Sequence, residues 1–208
     1  MLPIETLLAF FSAALLLALV PGPDNIFVLT QSIFQGKKSG IIVMFGLCTG
    51  LIFHTLAVTL GVAVIFQTSV MAFTILKIIG AGYLLYLAWQ IFKAPSEKID
   101  TKNNKIIDYK KLYYRGIIMN ITNPKVSIFF LAFLPQFTNP ALGSVSFQMI
   151  LLGGLFILAT IIIFGMIALL SGTLSQVFNK SENSQKILNK LASFVFVGLA
   201  LKLITTKQ

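Results

Sequence analysis

Long apolar runs separated by short polar punctuation dominate this chain. Reading along it, apolar stretches fall near 4–34, 40–66, 70–92, 115–137, 146–170 and 188–205. Each is close to or longer than the roughly 20 residues a helix needs to cross about 30 Å of hydrocarbon. The pattern predicts an all-α, polytopic membrane protein with six transmembrane helices. The first run is longer than one span requires and is interrupted by Pro21-Gly22-Pro23, and the fourth is interrupted at Asn123-Pro124. Proline cannot donate a backbone hydrogen bond, so a helix is expected to stop and restart at each place.

Composition agrees with the pattern. Mean hydropathy is +0.91, with 57% hydrophobic and 11% charged residues, too apolar for a water-soluble domain. Met1-Leu2-Pro3-Ile4-Glu5 lacks the basic region and small-residue cleavage site of a secretory signal, so the first stretch is expected to remain as a span. Cys48 has no cysteine to pair with in this chain and reads as a packing residue.

The net charge of +10 raises nucleic acid as a partner, but the placement of the charge points elsewhere. Lys37 and Lys38 fill the first connection. Lys93, Lys98, Lys102, Lys105, Lys110, Lys111 and Arg115 fill or edge the third, and Lys180, Lys186 and Lys190 the fifth. The second connection, around Gln67-Thr68-Ser69, and the fourth, around 138–146, carry no Lys or Arg. By the positive-inside bias the odd connections are cytoplasmic and both termini lie outside. The charge is then a statement of topology, and no nucleic acid is expected.

The polar stretch from Ala94 to Tyr114 reads as a mobile cytoplasmic loop rather than a second domain. One membrane domain over 1–208 is expected, with a first repeat at about 4–92, a basic loop at about 93–114 and a second repeat at about 115–205. Pro23-Asp24-Asn25-Ile26-Phe27 opens one half and Asn123-Pro124-Lys125-Val126-Ser127-Ile128-Phe129 the other. Ile75-Leu76-Lys77-Ile78-Ile79 and Leu188-Asn189-Lys190-Leu191-Ala192 lie near their ends. Three spans each make the repeats inverted, an arrangement that places a transporter's site at the paired broken helices.

The chemistry is concentrated there. Pro23 suits the first position of a half-helix, with Asp24 in its opening turn where free N–H groups favour a carboxylate or a bound anion. Asn123 is a natural N-cap, Pro124 a first helical residue, and Lys125 follows. Counted from the cytoplasmic edge, Lys125 lies about 15 Å deep and Asp24 about 18 Å deep. An acid and a base at mid-membrane suit a zwitterion, with its ammonium on Asp24 and its carboxylate on Lys125. The structural alternative is a kinked pair of helices with Asp24 and Lys125 as a buried ion pair.

Gly46, Gly50 and His54 follow at four-residue steps on one face of the second span. Close helix contact is expected there, drawing His54 inward as either a packing residue or a proton relay. One histidine and one cysteine do not support a transition-metal site, and no cofactor is expected. Lys77 and Lys202 are expected to snorkel to the outer interface, and Tyr83, Tyr86 and Trp89 to form packing or an interfacial belt. A Gly-rich phosphate loop is absent from the sequence, which argues against ATP hydrolysis.

With these motifs the chain resembles the lysine exporter and homoserine/threonine resistance (LysE/RhtB) family of bacterial amino-acid exporters. The resemblance rests on Pro21, Gly22, Pro23 and Asp24, on Gly46, Gly50 and His54, and on Gly116, Asn120, Asn123, Pro124 and Lys125. It implies a multi-pass protein of the bacterial cytoplasmic membrane exporting amino acids or close derivatives on a proton or membrane gradient. The expected cargo is a small neutral or hydroxy amino acid such as threonine or homoserine. The expected binding or proton-coupling residues are Asp24, Lys125, Asn25, His54, Asn120 and Asn123. Protons and lipid are the other expected partners, and a homo-oligomer is compatible with the sequence. The alternatives are a cation or metabolite exporter on this scaffold, with Asp24 as sole ligand, and a structural membrane subunit. An enzyme would need a convergent nucleophile and base, which scattered Ser, Thr and one His do not offer.

Overall fold

The computed structural model describes residues 2–68, 70–93, 108–173 and 182–205, and every regular element among them is helical. In chain order these are α1 (Ile4–Leu19), α2 (Pro23–Gln35), α3 (Lys37–Thr68), α4 (Val70–Lys93), α5 (Tyr109–Ile121) and α6 (Pro124–Ile128). A π turn (Phe129–Phe133) and two 3-10 turns (Leu134–Phe137, Pro140–Leu142) lead into α7 (Val145–Leu169), and α8 (Glu182–Thr205) closes the order.

Both expected interruptions are present. The axes of α1 and α2 are bent by 59°, and those of Tyr109–Ile121 and Pro124–Phe137 by 49°. Within α3 the span Lys37–Gly61, and α7 as a whole, are long and apolar enough to cross a membrane unaided. Each bent pair passes the same test taken together. Shorter apolar helices run over Ile78–Gln90 and Asn189–Leu201. The chain is thus an all-α membrane protein; among the described residues up to four of the six expected stretches are long and apolar enough to span, and those near 70–92 and 188–205 carry only the shorter apolar helices.

The largest boundary difference is at α5. Residues Tyr109 to Tyr114, grouped with the basic loop by composition, are helical, because the Asp108 side chain caps the helix by accepting from the Lys111 N–H at 3.0 Å. The rest of that loop, with Lys98, Lys102 and Lys105, lies outside the described residues, as does Lys180. The side chains of Lys77, Lys186 and Lys202 likewise lie outside what is described.

Helix α3 packs against α5 and α7, α4 against α8, α2 against α3, and α1 against α7. The α3–α5 crossing is close because it is built on glycine. The Gly46 and Gly116 Cα atoms face each other so closely that a Cβ on Gly116 would stand 3.1 Å from the Gly46 Cα and 2.7 Å from the Val43 carbonyl oxygen. A Cβ on Gly46 would overlap the Tyr113 carbonyl. The expectation that Gly46 and Gly50 mark a contact face therefore holds, and its partner is α5.

Two apolar clusters flank the breaks. One gathers Phe10, Leu17, Phe129, Phe130, Phe133 and Phe156 among others, with the Phe129 and Phe156 rings 5.2 Å apart. The other gathers Phe27, Val28, Val43, Leu47, Ile163 and Phe164 where α2, α3 and α7 meet. Buried Cys48 belongs to the second, as a packing residue. Exposed Trp89 carries the Lys93 ammonium 3.9 Å over its ring, and the Tyr83 and Tyr86 rings lie 5.8 Å apart, tilted by 43°.

Candidate functional site

At each break proline leaves backbone carbonyls without their helical donors. A helical carbonyl accepts from the N–H four residues on. For Leu17 that residue is Pro21, and for Asn120 it is Pro124; neither has an N–H to give. The side chains that satisfy these carbonyls come from other parts of the chain.

Lys125 supplies the first break. Its ammonium donates to the Leu17 carbonyl at 3.2 Å and the Val20 carbonyl at 3.1 Å, at the C-terminal end of α1, where the helix dipole favours a cation. Asn25 adds a third contact, donating from Nδ2 to the Ala18 carbonyl at 2.6 Å. Gly22 makes room for this. Its backbone is extended, at φ −168°, a conformation open to any residue, so its dihedrals do not require glycine. A Cβ there would stand 3.2 Å from the Lys125 Nζ and 3.9 Å from the Asn25 Oδ1, so closeness to the ammonium is what favours glycine.

His54 supplies the second break. Its Nε2 lies 3.1 Å from the Asn120 carbonyl oxygen, which also accepts from the Asn123 N–H at 3.0 Å. A carbonyl only accepts, so Nε2 carries the hydrogen in this contact. The imidazole rests 5.6 Å from the Phe130 ring, centroid to centroid. Gly50 brings α3 close enough for this, since a Cβ there would lie 2.7 Å from the Asn120 side chain.

Asp24 lies between these two systems and is 2% exposed. One carboxylate oxygen accepts from Asn120 Nδ2 at 3.2 Å, and the other, Oδ1, is buried without a hydrogen-bond partner. The Asn123 and Asn120 amides are its hydrogen-bonding neighbours, and Lys125 and His54 its charged or titratable ones. Asn123 caps α6, its Oδ1 accepting from the Lys125 backbone N–H at 3.0 Å. Asn25, Asn120, Asn123 and Lys125 are all buried, whereas Pro23 and Pro124 are exposed.

The structure thus gathers the sequence-predicted residues Asp24, Asn25, His54, Asn120, Asn123 and Lys125 around the two proline breaks. Lys125 engages α1 carbonyls rather than the Asp24 carboxylate, so the pair is not a direct hydrogen-bonded ion pair. What the sequence reading missed is the role of the Leu17, Ala18 and Val20 carbonyls. The signal was present for Leu17, four residues before Pro21. Among the described residues no group of three or more His, Cys, Asp or Glu could hold a metal ion.

Comparisons with known proteins identify the chain's relatives. Residues 15–207 match the family model described as LysE type translocator. The chain is 30% identical over 207 residues to an uncharacterized membrane protein, YrhP, of Bacillus subtilis (strain 168), covering 95% of this chain and 98% of that one. It is 32% identical over 209 residues to the leucine efflux proteins of Salmonella typhimurium (strain LT2) and Salmonella typhi, covering 96% of this chain and 94% of theirs. No solved structure matches it. With the match running through both breaks and nearly end to end, this chain belongs to the LysE type translocator family, whose members are membrane transport proteins and not enzymes.

Proposed function

We propose that this protein exports neutral amino acids across the bacterial cytoplasmic membrane by proton-linked alternating access around the two proline breaks. The observation that carries the reading is the buried Asp24 carboxylate, with one oxygen unpaired, lying between two broken helices. A buried carboxylate with open hydrogen-bonding capacity is costly in an apolar medium unless it serves a ligand or a proton. Asp24 exchanges a proton for the cargo's ammonium, and the rocking of one half against the other exposes it to each side in turn.

The leucine efflux relatives make leucine the first cargo to test, with threonine and homoserine alongside. The two bends, one in each half and each followed by a proline-led helix, support an inverted repeat. The lysine-bearing connections face the cytoplasm and both termini face outward.

The test is efflux from proteoliposomes loaded with a panel of labelled amino acids, measured with and without a pH gradient. Gradient-sensitive efflux of at least one neutral amino acid is expected. Gradient-insensitive traces for the whole panel would remove the reading.

A further inference from the structure

On the side of the breaks where α1 lies, a phenylalanine of the first half of the chain is seated among rings of the second. Phe10 of α1 is fully buried, about two turns before Leu17, whose carbonyl takes the Lys125 ammonium. Its ring stands 6.0 Å from that of Phe129 and 5.2 Å, edge-on, from that of Phe137. Behind these, Phe129 lies 4.7 Å from Phe133 and 5.2 Å from Phe156 of α7, and Phe133 lies 5.1 Å from Phe137. Helix α1 runs toward the first break and Pro124–Phe137 runs away from the second. The Lys125 hydrogen bonds to Leu17 and Val20 and the Phe10 ring contacts therefore lie along one seam between the same two segments. Lys125 closes that seam at the breaks, and Phe10 closes it further out.

The backbone under the socket can change its winding. Phe129–Phe133 is a π turn, with the Leu134 N–H donating to the Phe129 carbonyl, and it runs into a 3-10 turn that carries Pro135. Proline has no N–H in any register, so passing from π to α winding forfeits no bond at Pro135, while it turns the residues beyond by one helical step, about 100°. Such a step takes Phe137 off Phe10. Phe130, within the same π turn, has its ring 5.6 Å from the His54 imidazole, so the socket also adjoins the second break.

Resting on the export reading above, we propose that Phe10 is the plug of a gate. Seated against Phe129 and Phe137 it closes the Asp24 centre on the α1 side, because a dry layer of rings bars a charged solute. Cargo leaves on that side only when the seam between α1 and Phe129–Phe137 parts.

Two measurements on the full-length protein test this. The first is thiol labelling in detergent of Phe10→Cys, with the native buried Cys48 of the parent as reference. Position 10 is expected to react with a water-soluble maleimide about tenfold or more faster than Cys48, since a parting seam exposes it while the α2–α3–α7 cluster stays packed. Labelling no faster than in the parent would overturn the proposal. The second is a reversible tether. In Phe10→Cys/Phe137→Cys on a Cys48→Ser background, a short thiol-cleavable cross-linker is expected to lower gradient-driven leucine efflux to that of empty liposomes, and reduction to restore it. The same reagent on either single variant is expected to leave efflux in place. Because one variant is compared before and after cross-linking, a packing defect weighs equally on both arms. Efflux through the cross-linked protein at its reduced rate would overturn the gate and leave the export reading standing. Absent efflux from the parent and every variant, with position 10 readily labelled, would instead remove the export reading while the seam still parts.

Discussion

The Lys125 ammonium lies 3.2 Å from the carbonyl oxygen of Leu17, the carbonyl that Pro21 deprives of its helical donor. A lysine from the second half of the chain thereby closes the broken helix of the first. In the opposite sense, His54 of the first half lies 3.1 Å from the Asn120 carbonyl, which Pro124 cannot serve and which also accepts from the Asn123 N–H. Each break thus receives a side chain from the other half of the chain.

Lys125→Met removes the donor to two buried carbonyls while keeping the side chain's length. A buried acceptor left unpaired costs about 1–3 kcal/mol. The variant is expected to unfold at a lower temperature than the parent by thermal denaturation in detergent. Lys125→Arg, which keeps the charge but not the compact ammonium beside Gly22, is expected to fall between the two.

His54 separates a cap from a relay by substitution. Glutamine can donate to the Asn120 carbonyl but cannot titrate, so His54→Gln is expected to keep most efflux if capping is the role. His54→Ala loses the donor and is expected to lose stability by about 1 kcal/mol together with efflux. Equal loss of gradient-driven efflux in both variants, with both stably folded, would instead make His54 a proton carrier.

The glycine crossing of α3 and α5 is testable with an internal control. Gly46→Ala forces a methyl group into the Tyr113 carbonyl and is expected to destabilise by about 1–3 kcal/mol as the helices part. Gly154→Ala, on a face of α7 where a Cβ meets nothing within 4 Å, is expected to be neutral or stabilising by up to about 1 kcal/mol. Unfolding midpoints of the two variants decide the matter.

The breaks were legible in the sequence because proline acts locally: Pro21-Gly22-Pro23 and Asn123-Pro124 stop a helix whatever surrounds them. The Gly46, Gly50 and His54 face was legible because four-residue steps align side chains on any helix. The partner of Lys125 was not, because the carbonyls of Leu17 and Val20 lie more than a hundred positions away and carry no side-chain signature. Opposite charge drew Lys125 toward Asp24, while the structure gives its hydrogen bonds to backbone that proline had freed. The start of α5 was hidden for a different reason, since Tyr109 to Tyr114 share the loop's charge and only the Asp108 cap reveals the helix.

The central claim is that Asp24 is the working carboxylate of an amino-acid exporter, and Asp24→Asn tests it most directly. Asparagine keeps the shape and can still accept from Asn120, but it carries no charge for an ammonium and no exchangeable proton. Proteoliposomes carrying parent or variant protein, loaded with labelled leucine and placed under a pH gradient, are the measurement. The account predicts gradient-sensitive efflux from the parent and efflux at the level of empty liposomes from a stably folded variant. Efflux through Asp24→Asn at the parental rate would contradict it.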